Sequence, residues 1–180
     1  LEAGQGPGQQ RAAAHRALHD LRVAAGHRGA APPGDAEGDR GAVVDARVLD
    51  VFAGSGAYGF EALSQGAVQV TFFEQDAAAL AALRANITHL QCTAQAHIVS
   101  GDVRHAAAND AAAADLAFLD PPYYQELLVP TLQRLAEQGW ITRETLLVIE
   151  MEKEESLPAG LESIDTRRYG VSKIEICKLI

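Results

Sequence analysis

The tetrapeptide Asp120-Pro121-Pro122-Tyr123 holds the side chains best suited to chemistry in this chain. Neither proline carries an amide hydrogen, and each restricts the backbone before it. The Asp120 carboxylate and the Pro121 carbonyl therefore meet no competing local donor. Two such acceptors can take both hydrogens of a planar amino group. Accepting both favours a pyramidal nitrogen whose lone pair leaves the conjugated plane, ready to attack an electrophilic carbon in line. Tyr123 adds an aromatic face on which an unstacked base can lie, a contact worth about 1–3 kcal/mol.

A second constellation lies upstream in Asp50-Val51-Phe52-Ala53-Gly54-Ser55-Gly56. Gly54-x-Gly56-x-x-Gly59 formally matches a dinucleotide fingerprint, and Glu74 stands about where a ribose-binding acid belongs. Asp50, directly before the turn, shifts the reading. It would repel a pyrophosphate, whereas it suits the cationic amino-acid end of a sulfonium cofactor. Glu74 can accept both hydroxyls of a ribose, and Asp102 after Gly101 can accept from an adenine amino group while Val103 covers the ring. Each also has a plain alternative: a connecting glycine turn, a solvated strand-end acid, and ordinary Gly-Asp turn chemistry.

All four positions follow short apolar runs, and this sets the architecture that must hold them. The spacing predicts strands at Arg47–Phe52, Gln69–Phe73, Ala96–Val99, Asp115–Leu119 and Thr145–Met151. Helices are expected from the glycine turn to about Gln65, over Ala77–Leu90 and over Glu126–Glu137. Leu161–Tyr169 and Val171–Leu179 flank Gly170 as an antiparallel pair. The fold class is α/β, Rossmann-like: a parallel sheet flanked by helices, with a C-terminal antiparallel hairpin. Ligands of such sheets bind outside the carboxyl ends of the strands.

With 180 residues and 48% hydrophobic composition, one domain with a sizeable core is expected. Residues 1–46, rich in Gly, Ala, Pro and Arg with one possible short helix at Ala12–Ala25, read as an irregular extension; residues 47–180 read as the catalytic domain. No apolar run approaches the roughly 20 residues of a membrane span, and no secretory signal opens the chain, so a cytoplasmic protein is expected. Cys92 and Cys177 fall in no metal-ligand or redox spacing, and the six His show no ligand pattern. No metal is expected. The net charge of -9 opposes a polyanionic partner. Residues 1–40 carry five Arg against five acids, so the whole excess falls in residues 41–180.

Beyond the separate motifs, three strings together resemble the bacterial 16S rRNA (guanine(966)-N(2))-methyltransferase family of class I S-adenosylmethionine-dependent methyltransferases. They are Arg47-Val48-Leu49-Asp50-Val51-Phe52-Ala53-Gly54-Ser55-Gly56, Glu61-Ala62-Leu63-Ser64-Gln65-Gly66-Ala67 and Asp120-Pro121-Pro122-Tyr123. The likeness covers about residues 46–180, with a looser match at Arg168-Tyr169-Gly170. It implies methyl transfer to the N2 amino group of a guanine in small-subunit ribosomal RNA. Asp50, Phe52, Ala53, Gly54, Ser55, Gly56, Glu74, Gln75, Asp102 and Val103 would then hold S-adenosyl-L-methionine, and Asp120, Pro121, Pro122 and Tyr123 the target amine. The implied partner is ribosomal RNA within a small-subunit particle, met by a monomer. Leu21–Gly29 is similar to the family's opening strand, but the Arg-Pro-Thr-Thr segment and helix that follow it are replaced by Ala30–Val44. Weak affinity for naked RNA is the expectation. DNA adenine-N6 or protein glutamine methylation, an inactive cofactor-binding remnant and a dinucleotide oxidoreductase are the alternatives that the residues leave open.

Overall fold

A computed structural model describes Arg16, residues 43–122 and residues 124–180. Apart from Arg16, which is helical, and residues 43–46, the expected N-terminal extension and its short helix lie outside the described residues, as does Tyr123. The strands are β1 Arg47–Val51, β2 Gln69–Glu74, β3 Ala96–Ser100, β4 Leu116–Leu119, β5 Leu146–Glu152, β6 Leu161–Tyr169 and β7 Ser172–Leu179. Among the residues described from 43 onward, the α-helices α1 Ala57–Ser64, α2 Ala77–His89 and α3 Tyr124–Glu137 alternate with the parallel strands.

All seven strands form one sheet in the order β3-β2-β1-β4-β5-β7-β6. The first five are parallel; β7 runs antiparallel to β5 and β6 antiparallel to β7. A parallel sheet completed by a terminal hairpin is thus what forms. Because both faces are covered, the inner strands are mainly apolar runs rather than alternating ones. Tyr58 and Ala62 of α1 and Leu83 and Ile87 of α2 pack on one face with Val48, Phe72 and Phe118. Leu128, Leu132 and Leu135 of α3 cover the other with Leu49, Leu119 and Leu147.

Element ends depart from the sequence expectation where local chemistry overrides apolar character. β1 stops at Val51 because Phe52 adopts a left-handed backbone at φ 66°, which no strand can continue. Val171 belongs to the hairpin turn rather than to β7. α3 starts at Tyr124, ahead of the expected Glu126. The packed unit also reaches back beyond Arg47. Val43 and Ala46 are buried in the core, and Asp45 N–H donates to the Gly66 carbonyl (2.8 Å) while Val68 N–H donates to that of Ala46 (3.0 Å).

Candidate active site

β1 lies between β2, which follows it in sequence, and β4, so the chain reverses direction across the sheet at this point. A crevice opens at such a switch point, beyond the carboxyl ends of the strands. The glycine turn fills its floor. Gly54 and Gly56 take φ 55° and 89°, values that L side chains rarely adopt. A Cβ at Gly56 would collide with Phe60 and Leu83, and one at Gly59 would overlap the Phe72 ring, so Gly59 lets α1 lie directly on the sheet. The turn is fixed by Ala53 N–H donating to the Phe73 carbonyl (3.0 Å), Gly56 N–H to Ala53 (2.8 Å) and the Asn86 amide to the Ser55 carbonyl (3.0 Å).

Carboxylates close the ends of five neighbouring strands: Asp102 just past β3, Glu74 on β2, Asp50 on β1, Asp120 after β4 and Glu150 on β5. Asp50 is 2% exposed and accepts from Gly59 N–H (2.8 Å), which satisfies one of the amides left open at the start of α1. Burial pushes its carboxyl up to about 8; the Gly59 bond works against this, and the charges of Asp120 and Glu74 add to it. Asp120 is pushed up to about 7, first by burial and then by the charge of Glu150. No described cation is paired with Asp50 or Asp120.

The expected cofactor residues are distributed unevenly around this row. Glu74 Oε2 accepts from Gly54 N–H (2.7 Å), while its Oε1 accepts from the amides of Gln75 (2.7 Å) and Asp76 (2.8 Å). The acid therefore ties the glycine turn to β2; its Oε1 is filled by two amides, while Oε2 keeps one lone pair for a ligand hydroxyl. Asp102 is engaged by Arg104, which reaches its Oδ2 through Nη2 at 2.6 Å and its Oδ1 through Nε at 3.0 Å. Arg104 holds the Asp102 carboxyl below its usual range. Val103 is 4% exposed and packs in the core on the α3 face. Phe52 packs against that same core, and Pro121 is buried while Pro122 is exposed.

Two residues escaped the sequence reading. Glu150 follows the apolar run Leu146-Leu147-Val148-Ile149, the same signal that marked Asp50 and Asp120, but it sits inside a strand that continues to Glu152. Tyr58 looks like an ordinary helical residue. Its ring stacks on Phe118 with centroids 5.0 Å apart, and its hydroxyl donates to Glu150 Oε2 at 2.6 Å. A small cleft lined by Arg47, Gln69, Asn109 and Trp140 opens at the opposite edge of the sheet and contains none of these groups.

The arrangement fits a cationic nucleoside cofactor. Glycines with positive φ keep side chains out of the turn, and the buried carboxylates at its edge are short of positive charge, which disfavours a pyrophosphate and favours a sulfonium or ammonium. Strand order, glycine turn and acid row together define an α/β domain of the methyltransferase type. A structure named as a methyltransferase, yhhF from Escherichia coli, superposes with a TM-score of 0.67 at 33% identity, covering 76% of this chain and 77% of that one. The model of the family described as conserved hypothetical protein 95 matches residues 37–178, and the chain belongs to that family. The chain is 38% identical over 116 residues to ribosomal RNA small subunit methyltransferase D of Escherichia coli K12, across 64% of this chain and 58% of that protein. Its counterpart in Haemophilus influenzae is 38% identical over 113 residues, 61% of this chain and 58% of that protein. The chain thus spans less than two thirds of the length of these relatives.

Proposed function

We propose that this chain transfers a methyl group from S-adenosylmethionine to the exocyclic N2 amino group of a guanine in small-subunit ribosomal RNA. The observation that carries the reading is Asp120, a partly buried carboxylate that no described donor or cation satisfies, placed beside the glycine turn and followed by two prolines. A partly buried acceptor without a described protein partner is open to a hydrogen-donating ligand. The names of the relatives supply the substrate class.

When bound, S-adenosylmethionine supplies an electrophilic methyl group on a cationic sulfur. Gly54 and Gly56 would admit it to the turn, Glu74 would take its ribose hydroxyls and Asp50 would answer its ammonium group. Asp120 and the Pro121 carbonyl would hold the two amine hydrogens and so turn the nitrogen lone pair out of the base plane. Positioning of this kind contributes up to about 7–11 kcal/mol in favourable cases. Asp120 also offsets the positive charge that develops on the nitrogen. The reading extends to a cytoplasmic monomer acting on an assembled particle, where ribosomal protein contacts offset the acidity of residues 41–180. The test is transfer of a labelled methyl group to small-subunit particles that lack the modification, followed by nuclease digestion and identification of the labelled base. Label in N2-methylguanine is expected; label confined to protein, or to adenine, would overturn the proposal.

A further inference from the structure

Asp120 and Glu150 stand on neighbouring strands in a fixed register. β4 pairs with β5 through Phe118 opposite Val148 and Leu119 opposite Ile149, so Asp120 and Glu150 come next in line. Strand alternation puts both carboxylates on the face that α1 covers, as Phe118 and Val148 in the α1-side core show. Two acids so close repel one another, and a flexible glutamate would be expected to turn away. Glu150 is prevented from doing so. The Tyr58 hydroxyl grips its Oε2 at 2.6 Å, and the Tyr58 ring is itself pinned against Phe118, the residue two before Asp120. One short unit thus links α1, β4 and β5, and it ends on the proposed reacting carboxylate.

We propose that Glu150, clamped by Tyr58, is a positioning residue for Asp120: its fixed negative charge makes Asp120 the group that takes the proton released by the substrate amine. The inference rests on the amine-methylation reading above. Once the nitrogen lone pair has formed the new N–C bond, the nitrogen is cationic and must lose one proton. That proton passes to an Asp120 carboxylate oxygen; the electron pair of the broken N–H bond stays on nitrogen, and the product amine is neutral. An isolated carboxylate accepts a proton poorly at neutral pH, whereas a carboxylate beside a second, immobile one accepts it readily. Among the described residues, the charged and titratable groups facing Asp120 are Asp50 from β1, Tyr58 from α1 and Glu150 from β5. All are acids, and burial and the Glu150 charge already push Asp120 to about 7.

The direct test is titration of the ligand-free protein labelled with ¹³C at aspartate carboxyls, with the Asp120 signal assigned through Asp120→Asn. Glu150→Gln should lower the Asp120 midpoint by about 1 unit, because one adjacent charge is removed. Tyr58→Phe keeps the ring and should lower it by less, since it removes one of the contacts that fix Glu150. Glu150→Asp keeps the charge and should hold the midpoint nearer that of the unaltered protein. In the loaded enzyme, the acid limb of kcat/KM should move to lower pH in step with these midpoints. An Asp120 midpoint unchanged in both Glu150→Gln and Tyr58→Phe would overturn the coupling, even with amine methylation intact. If Glu150→Gln fails to fold, Tyr58→Phe retains the packing, and an unchanged Asp120 midpoint there overturns the clamp. Midpoints that shift as expected while methyl is transferred only to oxygen or carbon would instead sink the amine reading and the proton transfer with it.

Discussion

Buried carboxylates occur in two regions of this protein and are treated in opposite ways. In the terminal hairpin, Glu175 is met by every partner it needs. Its Oε1 lies 3.3 Å from Lys173 Nζ, and its Oε2 accepts from Ser163 Oγ (3.0 Å) and Thr166 Oγ1 (2.9 Å). Lys173 donates in turn to the Glu155 carbonyl at 2.6 Å. At the carboxyl edge of the parallel sheet, Asp50 has one amide and no described cation, and Asp120 has burial and a neighbouring acid. The hairpin compensates its charge internally, so it is a finished piece of structure. At the sheet edge Asp50 and Asp120 meet no described cation, so both are placed to receive something positive or hydrogen-donating. That difference separates scaffold from site more sharply than burial does.

The contrast is broken most directly at Asp120. Asp120→Ala should reduce methyl transfer by about three orders of magnitude or more, as loss of a preorganised electrostatic partner does. Calorimetry should find affinity for S-adenosylhomocysteine within about threefold of the unaltered protein, because the assigned role begins at the substrate amine. A parallel collapse of cofactor affinity would place Asp120 in the wrong half of the site. In the hairpin, Lys173→Met should destabilise the fold by about 3–5 kcal/mol, because Glu175 is left buried and charged without its cation. Chemical denaturation measures this. A loss below about 1 kcal/mol would mean that the hydroxyls of Ser163 and Thr166 compensate Glu175 alone.

The same comparison predicts opposite responses to pH. A carboxyl whose folded proton affinity is raised binds its proton in the native state while the unfolded chain has already lost it. Between about pH 4 and 7 for Asp120, stability therefore falls as pH rises. Asp120→Asn should remove that loss, so the variant should be more stable than the unaltered protein by about 2 kcal/mol at pH 8 and show little gain at pH 4. Equal stability at both values would show that Asp120 is solvated like a surface acid.

How much of this was legible in the sequence depends on whether the signal was local. The five parallel strands, their helices and the terminal hairpin follow from apolar runs between breakers, and the glycine turn from Gly54 and Gly56. Asp50, Glu74 and Asp120 were marked by their places after apolar runs, and the fold puts them along one edge. Phe52 ended β1 earlier than its apolar character suggests, because its backbone turns left-handed to enter the glycine loop. Asp102 was legible as a strand-end acid, but its capture by Arg104 depends on the turn through Val103. Tyr58 and Glu150 are 92 residues apart, and their bond exists only because α1 folds back over β4 and β5. No spacing rule along one chain encodes such a pair.

The smallest effect tests whether Asp50 belongs to the finished or the unfinished kind of carboxylate. Its bond to the Gly59 amide resembles the internal compensation of the hairpin, yet burial still pushes it up to about 8. If a cationic amino-acid end answers Asp50, binding favours the ionised carboxylate and expels its proton below about pH 8. Affinity for S-adenosylhomocysteine should then rise about tenfold between pH 6 and pH 8, and calorimetry in buffers of different ionisation heats should register proton release. Asp50→Asn can still accept from Gly59, so it should keep α1 in place while flattening that dependence. A flat profile in the unaltered protein would assign Asp50 wholly to holding the start of α1, and the cofactor's ammonium would have to find its acid elsewhere along the edge.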